Sequence, residues 1–488
     1  FFQRQFIQKQ TTKIPYILVD NFPDLGFLTS LRFLEWVSKN PEGVISLPTG
    51  KTPEYFIKWT HNFLSNWDDK DLIYLRKENG LDIDQKPDLS RLKFVQIDEF
   101  YPMDPSQHNS FFNYVNNFYL SGFGISQENA LLINCAEIPL VDAKQWKDIF
   151  PNSTIDLTLR YRDPKSELEK MQQSSIYLID QWCTEYEEKI RNMGGIGFFL
   201  GGIGPDGHIA FNVRGSDHNS TTRLMETNFE TQAAAATDLG GIEISKNRLV
   251  ITIGLASITF KDDAVAIITA AGEAKASIVK YSLENLPDVK YPATVLQRCE
   301  NSRFYLTHGA AKLLEDTEKH YWENSNWDDA KKQRALLRLA KRKNIFGKKL
   351  SIDDLEHDSF CKTIPGLGEG TVPEIIEKVH AKVQRGIKNE TNEIYYHTGP
   401  HHDDIMLGMM PHIIHLIREP SNSHHFSNMT SGFTSVTNKF IADILSNTLD
   451  FFEKGEIQMT NYPDFFTDGY KLKWDKDVFH FLDHLATK

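Results

Sequence analysis

Three strings in the first half of the chain hold residue types able to bind an anion and move protons. The first is Ser46-Leu47-Pro48-Thr49-Gly50-Lys51-Thr52-Pro53. It leaves an apolar run, turns on Gly50 and enters a helix-period segment, with Thr52 as the cap and Pro53 in the first turn. Free backbone N–H groups at such a helix start, with the helix dipole behind them, suit an anion. The Gly-Lys spacing is not that of a P-loop. The second string, Ile97-Asp98-Glu99-Phe100-Tyr101, puts two carboxylates at the exit of the apolar run Leu92–Ile97. Neighbours on an extended chain point to opposite sides, so one carboxylate can face a crevice as a base while the other pairs elsewhere. Singly, these two strings also suit an ordinary strand–turn–helix joint and a capping or solvated acidic turn.

The third string is longer: Phe198-Phe199-Leu200-Gly201-Gly202-Ile203-Gly204-Pro205-Asp206-Gly207-His208-Ile209-Ala210-Phe211-Asn212. Four glycines after an apolar strand let the backbone approach a ligand closely. Asp206 and His208 flank Gly207, and an imidazole held by a carboxylate transfers protons near neutral pH.

The elements that must position these strings read as alternating strands and helices. Expected strands are Ile14–Val19, Gly43–Leu47, Leu92–Ile97, Ala130–Asn134, Ile196–Leu200, Arg248–Ile253, Ala264–Thr269 and Phe304–Thr307. Expected helices are Pro53–Leu64, Ser110–Leu120, Ser174–Met193 and Glu273–Leu283. The alternation predicts an α/β fold, a mostly parallel doubly wound sheet covered on both faces. Such sheets bind ligands beyond the carboxyl ends of their strands, where the three strings fall. Residues 311–390 read as a charged helical connector, with helices over Asp328–Lys349 and Pro373–Ile387 and a turn at Gly366–Gly370. Residues 391–488 open a second, partial α/β domain with a strand at Ile394–His397 and a helix from about Asp404.

The three strings, in this order over roughly residues 10–310, resemble the glucosamine-6-phosphate deaminase family. The 6-phosphogluconolactonases share weaker versions of them. The resemblance implies that Asp98 moves a proton between C2 and C1 of the open-chain sugar, and that His208, oriented by Asp206, opens the ring. It implies a 6-phosphate site made by Thr49, Gly50, Lys51, Thr52 and Lys275, the last in Gly272-Glu273-Ala274-Lys275-Ala276, with Arg223 a further family arginine. The first domain needs no cofactor in this reading, and a homo-oligomer is expected. Two positions depart from the family. Val213 stands where a glutamate completes the relay around the histidine, and Thr237 aligns with a phosphate-binding arginine. A sugar-phosphate sensor that has lost catalysis, and a lactone hydrolase, therefore stay open beside the deaminase.

In the last region, Tyr395-Tyr396-His397-Thr398-Gly399-Pro400-His401-His402-Asp403-Asp404 runs from a strand into a helix. His401 and Asp404, across one turn, can converge on a metal and leave Asp403 as base for a metal-bound water. The string resembles the His-Pro-Asp-Asp motif of zinc-dependent glucosaminyl de-N-acetylases of the PIG-L/LmbE type, with His402 in place of proline. The resemblance implies zinc on His401 and Asp404, a turn at Met429-Thr430-Ser431-Gly432 and a further histidine, for which His480 and His484 have the wrong spacing. The pairing would link N-deacetylation of an N-acetylglucosamine derivative to deamination.

Bulk properties agree with a small-molecule enzyme. In 488 residues, 54 Lys and Arg face 66 Asp and Glu, a formal charge of -12 that repels nucleic acid. No apolar run reaches the ~18 residues needed to cross a membrane. Cys135, Cys183, Cys299 and Cys361 are widely spaced, which fits a reducing, cytoplasmic setting.

Overall fold

The computed structural model describes residues 11–429 apart from 108, 233–247, 325 and 389, with a few positions between 442 and 450. The chain divides into two compact units between Lys319 and His320.

The first unit is built on strands β1 (Tyr16–Val19), β2 (Val44–Ser46), β3 (Lys93–Val95), β4 (Asp98–Tyr101), β5 (Ala130–Leu131), β6 (Phe198–Gly202), β7 (Arg223–Glu226), β8 (Leu249–Thr252), β9 (Val265–Ala270) and β10 (Asn301–Thr307). Seven form a sheet in the order β1-β10-β9-β6-β2-β3-β5, every neighbour parallel. Alternate residues feed two separate cores. Val44, Phe199, Ala266, Ile268, Phe304 and Leu306 face one side. Ile45, Phe198, Leu200, Ile267 and Tyr305 face the other. A sheet buried on both faces needs such near-continuous apolar strands.

Helices α1 (Phe22–Lys39) and α2 (Glu54–Ser65) cover the second face. A Cβ on Gly26 would overlap the backbone at Tyr55 and Phe56, so glycine lets α1 and α2 meet closely. Helix α3 (Glu167–Asn192), capped by Ser166, covers the first face through Ile176, Ile179, Tyr186 and Ile190. The Tyr186 hydroxyl is within hydrogen-bond distance of the carbonyls of Gln96 and Leu131, at 2.8 and 2.9 Å, and ties α3 to the strand ends.

The structure corrects several sequence expectations. Asp98–Tyr101 is not a strand exit but the strand β4, and Arg248–Ile253 gives β8, which does not join the parallel sheet. These two and β7 form a separate antiparallel sheet, β4-β8-β7. The apolar composition of β8 matches a buried parallel strand as well as a central antiparallel one, so pattern alone does not separate them. Pro53, not Thr52, is the cap of α2, and no side chain caps it. The Ser110–Leu120 segment is one α-turn, Phe111–Tyr114, running into a π-helix, Val115–Ser121. Helix α1 is an element beyond those the sequence pattern predicts. Its start was legible in Asn21, which accepts from the Asp24 amide at 2.9 Å, and in Pro23 just inside the helix.

The second unit has its own core, in which Leu336 and Leu339 of α5 (Asp329–Lys343) pack with Leu355, Cys361, and Val372 and Ile375 of α6 (Thr371–Ile387). Helix α4 (Ala276–Glu284) belongs to the first unit. Beyond α6, strands β11 (Ile394–Gly399) and β12 (Ser423–Asn428) pair in parallel, joined by α7 (His402–Ile417). All four cysteines are free and buried. No helix among the described residues is long and apolar enough to cross a membrane.

Phe198 is fully buried between Phe33 and Trp36. Phe198→Ala should lower the unfolding free energy of the first unit by about 3–5 kcal/mol, read from denaturant midpoints.

Candidate active site

Strands β2 and β6 lie side by side and parallel, with Ile45 opposite Phe198 and Ser46 opposite Phe199. Their exits therefore open at one end of the sheet. There a cleft of about 360 Å³ is lined by Thr49, Gly50, Lys51 and Thr52 from the β2 exit, Gly201 to Pro205 and His208 from the β6 exit, Asp98 from β4 and Lys275. Its size is that of a small-molecule site. A Cβ on Gly202 would come within 3.2 Å of the Thr52 side chain, so the two exits touch through glycine.

The β2 turn is held from the far side. Gly50 adopts φ +73. The Tyr114 hydroxyl donates to the Gly50 carbonyl at 3.1 Å, and the Tyr119 hydroxyl to the Pro48 carbonyl at 2.5 Å. Both tyrosines come from the segment that passes from α- to π-helix.

Asp98 and Glu99 have opposite fates. Asp98 is 7% exposed and lines the cleft. Burial, then the neighbouring Glu99 charge, pushes its carboxyl well above the usual range. No group among the described residues hydrogen-bonds its side chain, which leaves a poorly solvated and strongly basic carboxylate once ionised. Glu99 turns away and accepts from the Ser110 hydroxyl at 2.8 Å and from the Phe112 and Phe100 amides at 2.8 and 3.0 Å. Burial pushes Glu99 up to about 7 against those hydrogen bonds. It serves as the anchor of the Phe111 helix start.

His208 stands over the glycine turn. Its Nδ1 lies 2.5 Å from Asp206 Oδ1. Asp206 Oδ2 accepts from the Arg214 amide at 2.9 Å and from Asn228 Nδ2 at 2.6 Å. Burial alone would raise Asp206, yet His208, the Arg214 amide and Asn228 together hold it well below the usual carboxylate range. An ionised Asp206 only accepts, so Nδ1 carries the imidazole proton and Nε2 is left as the acceptor. A Cβ on Gly204 would collide with the imidazole ring, so only glycine admits His208 in this place.

Lys275 precedes the first turn of α4 and lines the same cleft. Its ammonium makes no hydrogen bond among the described residues. Burial lowers its pKa, against the pull of Asp206. A half-buried cation at a helix start is suited to a phosphate.

Arg223 does not join these residues. Its guanidinium donates to Asn212 Oδ1 at 2.9 Å, Ser216 Oγ at 3.1 Å and the Thr221 carbonyl at 3.2 Å. Asn212 in turn donates to the Ile209 and Ile253 carbonyls, at 3.1 and 2.9 Å. Arg223 thus braces the end of the glycine string. Arg223 and Asp98 both pair with Thr252, from opposite sides of β8, which sets them two strand spacings, roughly 10 Å, apart. Val213 is absent from the cleft lining, and its amide donates to the Phe211 carbonyl at 2.9 Å. Thr237 lies outside the described residues.

Sequence reasoning missed Asn228, Thr231 and Phe111, the last of which joins Phe100 and Phe211 of the quoted strings in an aromatic wall. Thr231 Oγ1 lies 3.4 Å from His208 Nδ1. None of these carries a spacing signal, because they reach the site only through tertiary packing.

In the second unit, His401 is the N-cap of α7, and Asp404 Oδ2 accepts from its backbone N–H at 3.0 Å. Asp403 lies in the first turn, but its side chain, residues 430–432, His480 and His484 fall outside the described set. Among the described residues no group of three or more His, Cys, Asp or Glu side chains is arranged to hold a metal. One Asp404 oxygen is used as a helix cap.

Gly204→Ala should displace the imidazole by about 1 Å or more and lower the turnover of the isomerisation implied by the motifs by about 10²-fold. Steady-state kinetics beside a thermal melt would check that the loss is local.

No family model matches the chain. A glucosamine-6-phosphate deaminase of Borrelia hermsii is 30% identical over 220 residues, covering 41% of this chain and 77% of that enzyme. One from Clostridium perfringens is 25% identical over 298 residues, 61% of this chain and 98% of that enzyme. A glucosamine-6-phosphate isomerase of Candida albicans is 37% identical over 136 residues, 28% of this chain and 54% of its own length. Among solved structures, a monomeric glucosamine-6-phosphate deaminase aligns with TM-score 0.46 at 19% identity, covering 62% of this chain and all of that one, 100%. Over its N-terminal three-fifths, the chain belongs to the glucosamine-6-phosphate deaminase family.

Proposed function

We propose that the first unit converts glucosamine-6-phosphate into fructose-6-phosphate and ammonia. The observation that carries this reading is that Asp98 and His208 line one cleft with Lys275 and the Thr49–Thr52 turn. The Lys275 ammonium and the turn bind the 6-phosphate, which fixes the hexose between the two proton-transfer groups. His208 Nε2 takes the proton of the ring hydroxyl at C1 and returns it to O5, which opens the ring. Asp98 removes the proton at C2 and delivers it to C1, while a proton passes from the amine to O1, leaving a ketimine at C2 and a hydroxyl at C1. Water adds to that carbon and ammonia leaves, so the isomerisation ends in hydrolytic loss of the amine. The phenyl rings of Phe100, Phe111 and Phe211 form an apolar wall that keeps Asp98 poorly solvated.

Val213 favours a second reading, a sugar-phosphate sensor, because a valine cannot complete a proton relay. Glucosamine-6-phosphate that binds without ammonia release would establish the sensor. Hydrolysis of 6-phosphogluconolactone without deamination would instead establish a lactonase. No reaction is assigned to the second unit.

Asp98→Asn should lower ammonia and fructose-6-phosphate release by at least ~10²-fold while leaving the affinity for the sugar phosphate within a few-fold. Unchanged turnover removes Asp98 from the mechanism. The base must be ionised to act, and its pKa is raised, so kcat/KM should fall as pH drops through a value above the ordinary aspartate ~3.9. A pH–rate profile flat down to pH ~4 would contradict that environment for the base.

A further inference from the structure

We propose that Asn228 is a positioning residue for proton transfer by His208, acting through Asp206. The proposal rests on the role given to His208 above and adds a residue outside the three strings.

Asp206 must present a fixed oxygen to the imidazole. Its Oδ1 lies 2.5 Å from His208 Nδ1, and this contact orients the ring only if the carboxylate itself is held. The terminal torsion of an aspartate is broad, so a carboxylate restrained at one oxygen alone can pivot. Two donors meet on Oδ2 and prevent this, the Arg214 amide at 2.9 Å and Asn228 Nδ2 at 2.6 Å. The first is a backbone group eight residues on in the same loop. The second comes from the segment that follows β7, so it ties the glycine string to the antiparallel sheet. A hydrogen bond to an ionised acceptor is stronger than one between neutral groups.

Asn228 is itself held. Its Oδ1 accepts from the Thr231 amide at 3.0 Å, and its carbonyl from the Gln232 amide at 2.9 Å. With Oδ1 used to cap this turn, Nδ2 is the end that faces Asp206. The same segment grips the other end of the string, where Arg223 of β7 donates to Asn212 Oδ1 at 2.9 Å. Arg223 and Asn228 thus clasp the string at Asn212 and at Asp206, with His208 between. Asn228 is half-buried and is not part of the cleft lining. Its effect reaches a bound sugar only through Asp206 and His208.

The two ends of the amide make the test. In Asn228→Ser the hydroxyl still caps the turn, because serine and asparagine are near-equal caps, but the arm that reaches Asp206 is gone. Asn228→Ala removes both. The full chain is prepared with isotopically labelled histidine, and His208→Gln assigns the His208 signal in the nuclear magnetic resonance spectrum. We expect the parent to show a low-field proton on His208 Nδ1, and both Asn228 variants to lose it or shift it upfield. The kcat for ammonia release should fall at least about tenfold in both, with KM within about threefold. Only Asn228→Ala should lower the melting temperature, by roughly 2–4 °C. A serine variant with the parent's spectrum and kcat makes Asn228 a cap alone and overturns the proposal, as does a parent with no low-field Nδ1 proton. Failure of the deaminase reading is distinct: the parent then releases no ammonia, and the spectrum alone decides whether Asn228 positions His208.

Discussion

The parallel pairing of β2 with β6 is the constraint on which the site depends. Ser46 opposite Phe199 sets the turn after β2 beside the turn after β6, and Gly202 removes the side chain that would hold them apart. Everything else is brought to that junction. The Phe111–Ser121 segment fixes the β2 turn through two tyrosine hydroxyls. The antiparallel β4-β8-β7 sheet delivers Asp98 from the side, and α4 delivers Lys275. A site assembled from strand ends inherits the rigidity of a sheet buried on both faces.

Within the cleft, environment separates two aspartates of identical chemistry. Asp98 is buried with no hydrogen-bond donor to its side chain, beside a second carboxylate, so its charged form is disfavoured. Asp206 is also buried, but it accepts from His208, a backbone amide and Asn228, so its charged form is kept. Carboxyl groups pushed apart in this way suit the different tasks proposed for them, one gaining and losing a proton and the other remaining a fixed negative charge behind an imidazole. Glu99 is a third case, in which a carboxylate beside the cleft serves the fold by holding the Phe111 helix start.

Much of this was legible in the sequence because the strings are local. Glycines at 201, 202, 204 and 207, the Asp206–His208 spacing and the Asp98–Glu99 pair each declare a geometry within a few residues. The parallel sheet was legible from apolar runs alternating with helix-period segments. What sequence could not show depends on contacts distant along the chain. The direction of β8 follows from its partners, and the use of Arg223 as a brace follows from its bonds to Asn212, Ser216 and the Thr221 carbonyl. Asn228 reaches Asp206 across 22 positions with no motif around it. The Thr52 cap failed because Pro53 takes the cap position itself, leaving Thr52 in the turn that lines the cleft.

That distant contact bears on the meaning of Val213. A relay glutamate has two tasks, to orient the imidazole and to keep a negative charge near it. Here Asp206 performs both. Its Oδ1 holds Nδ1, while the Arg214 amide and Asn228 pin Oδ2, so the carboxylate has little freedom to rotate away. The Gly204 surface beneath the ring and Phe211, stacked on it at 6.1 Å, restrict the imidazole from its faces. The tautomer that presents Nε2 follows from the ionised Asp206 alone. Position 213 is outside the cleft lining, so valine there removes a proton acceptor without loosening the histidine. This arrangement favours a proton-transfer centre over a binding site that has lost its chemistry.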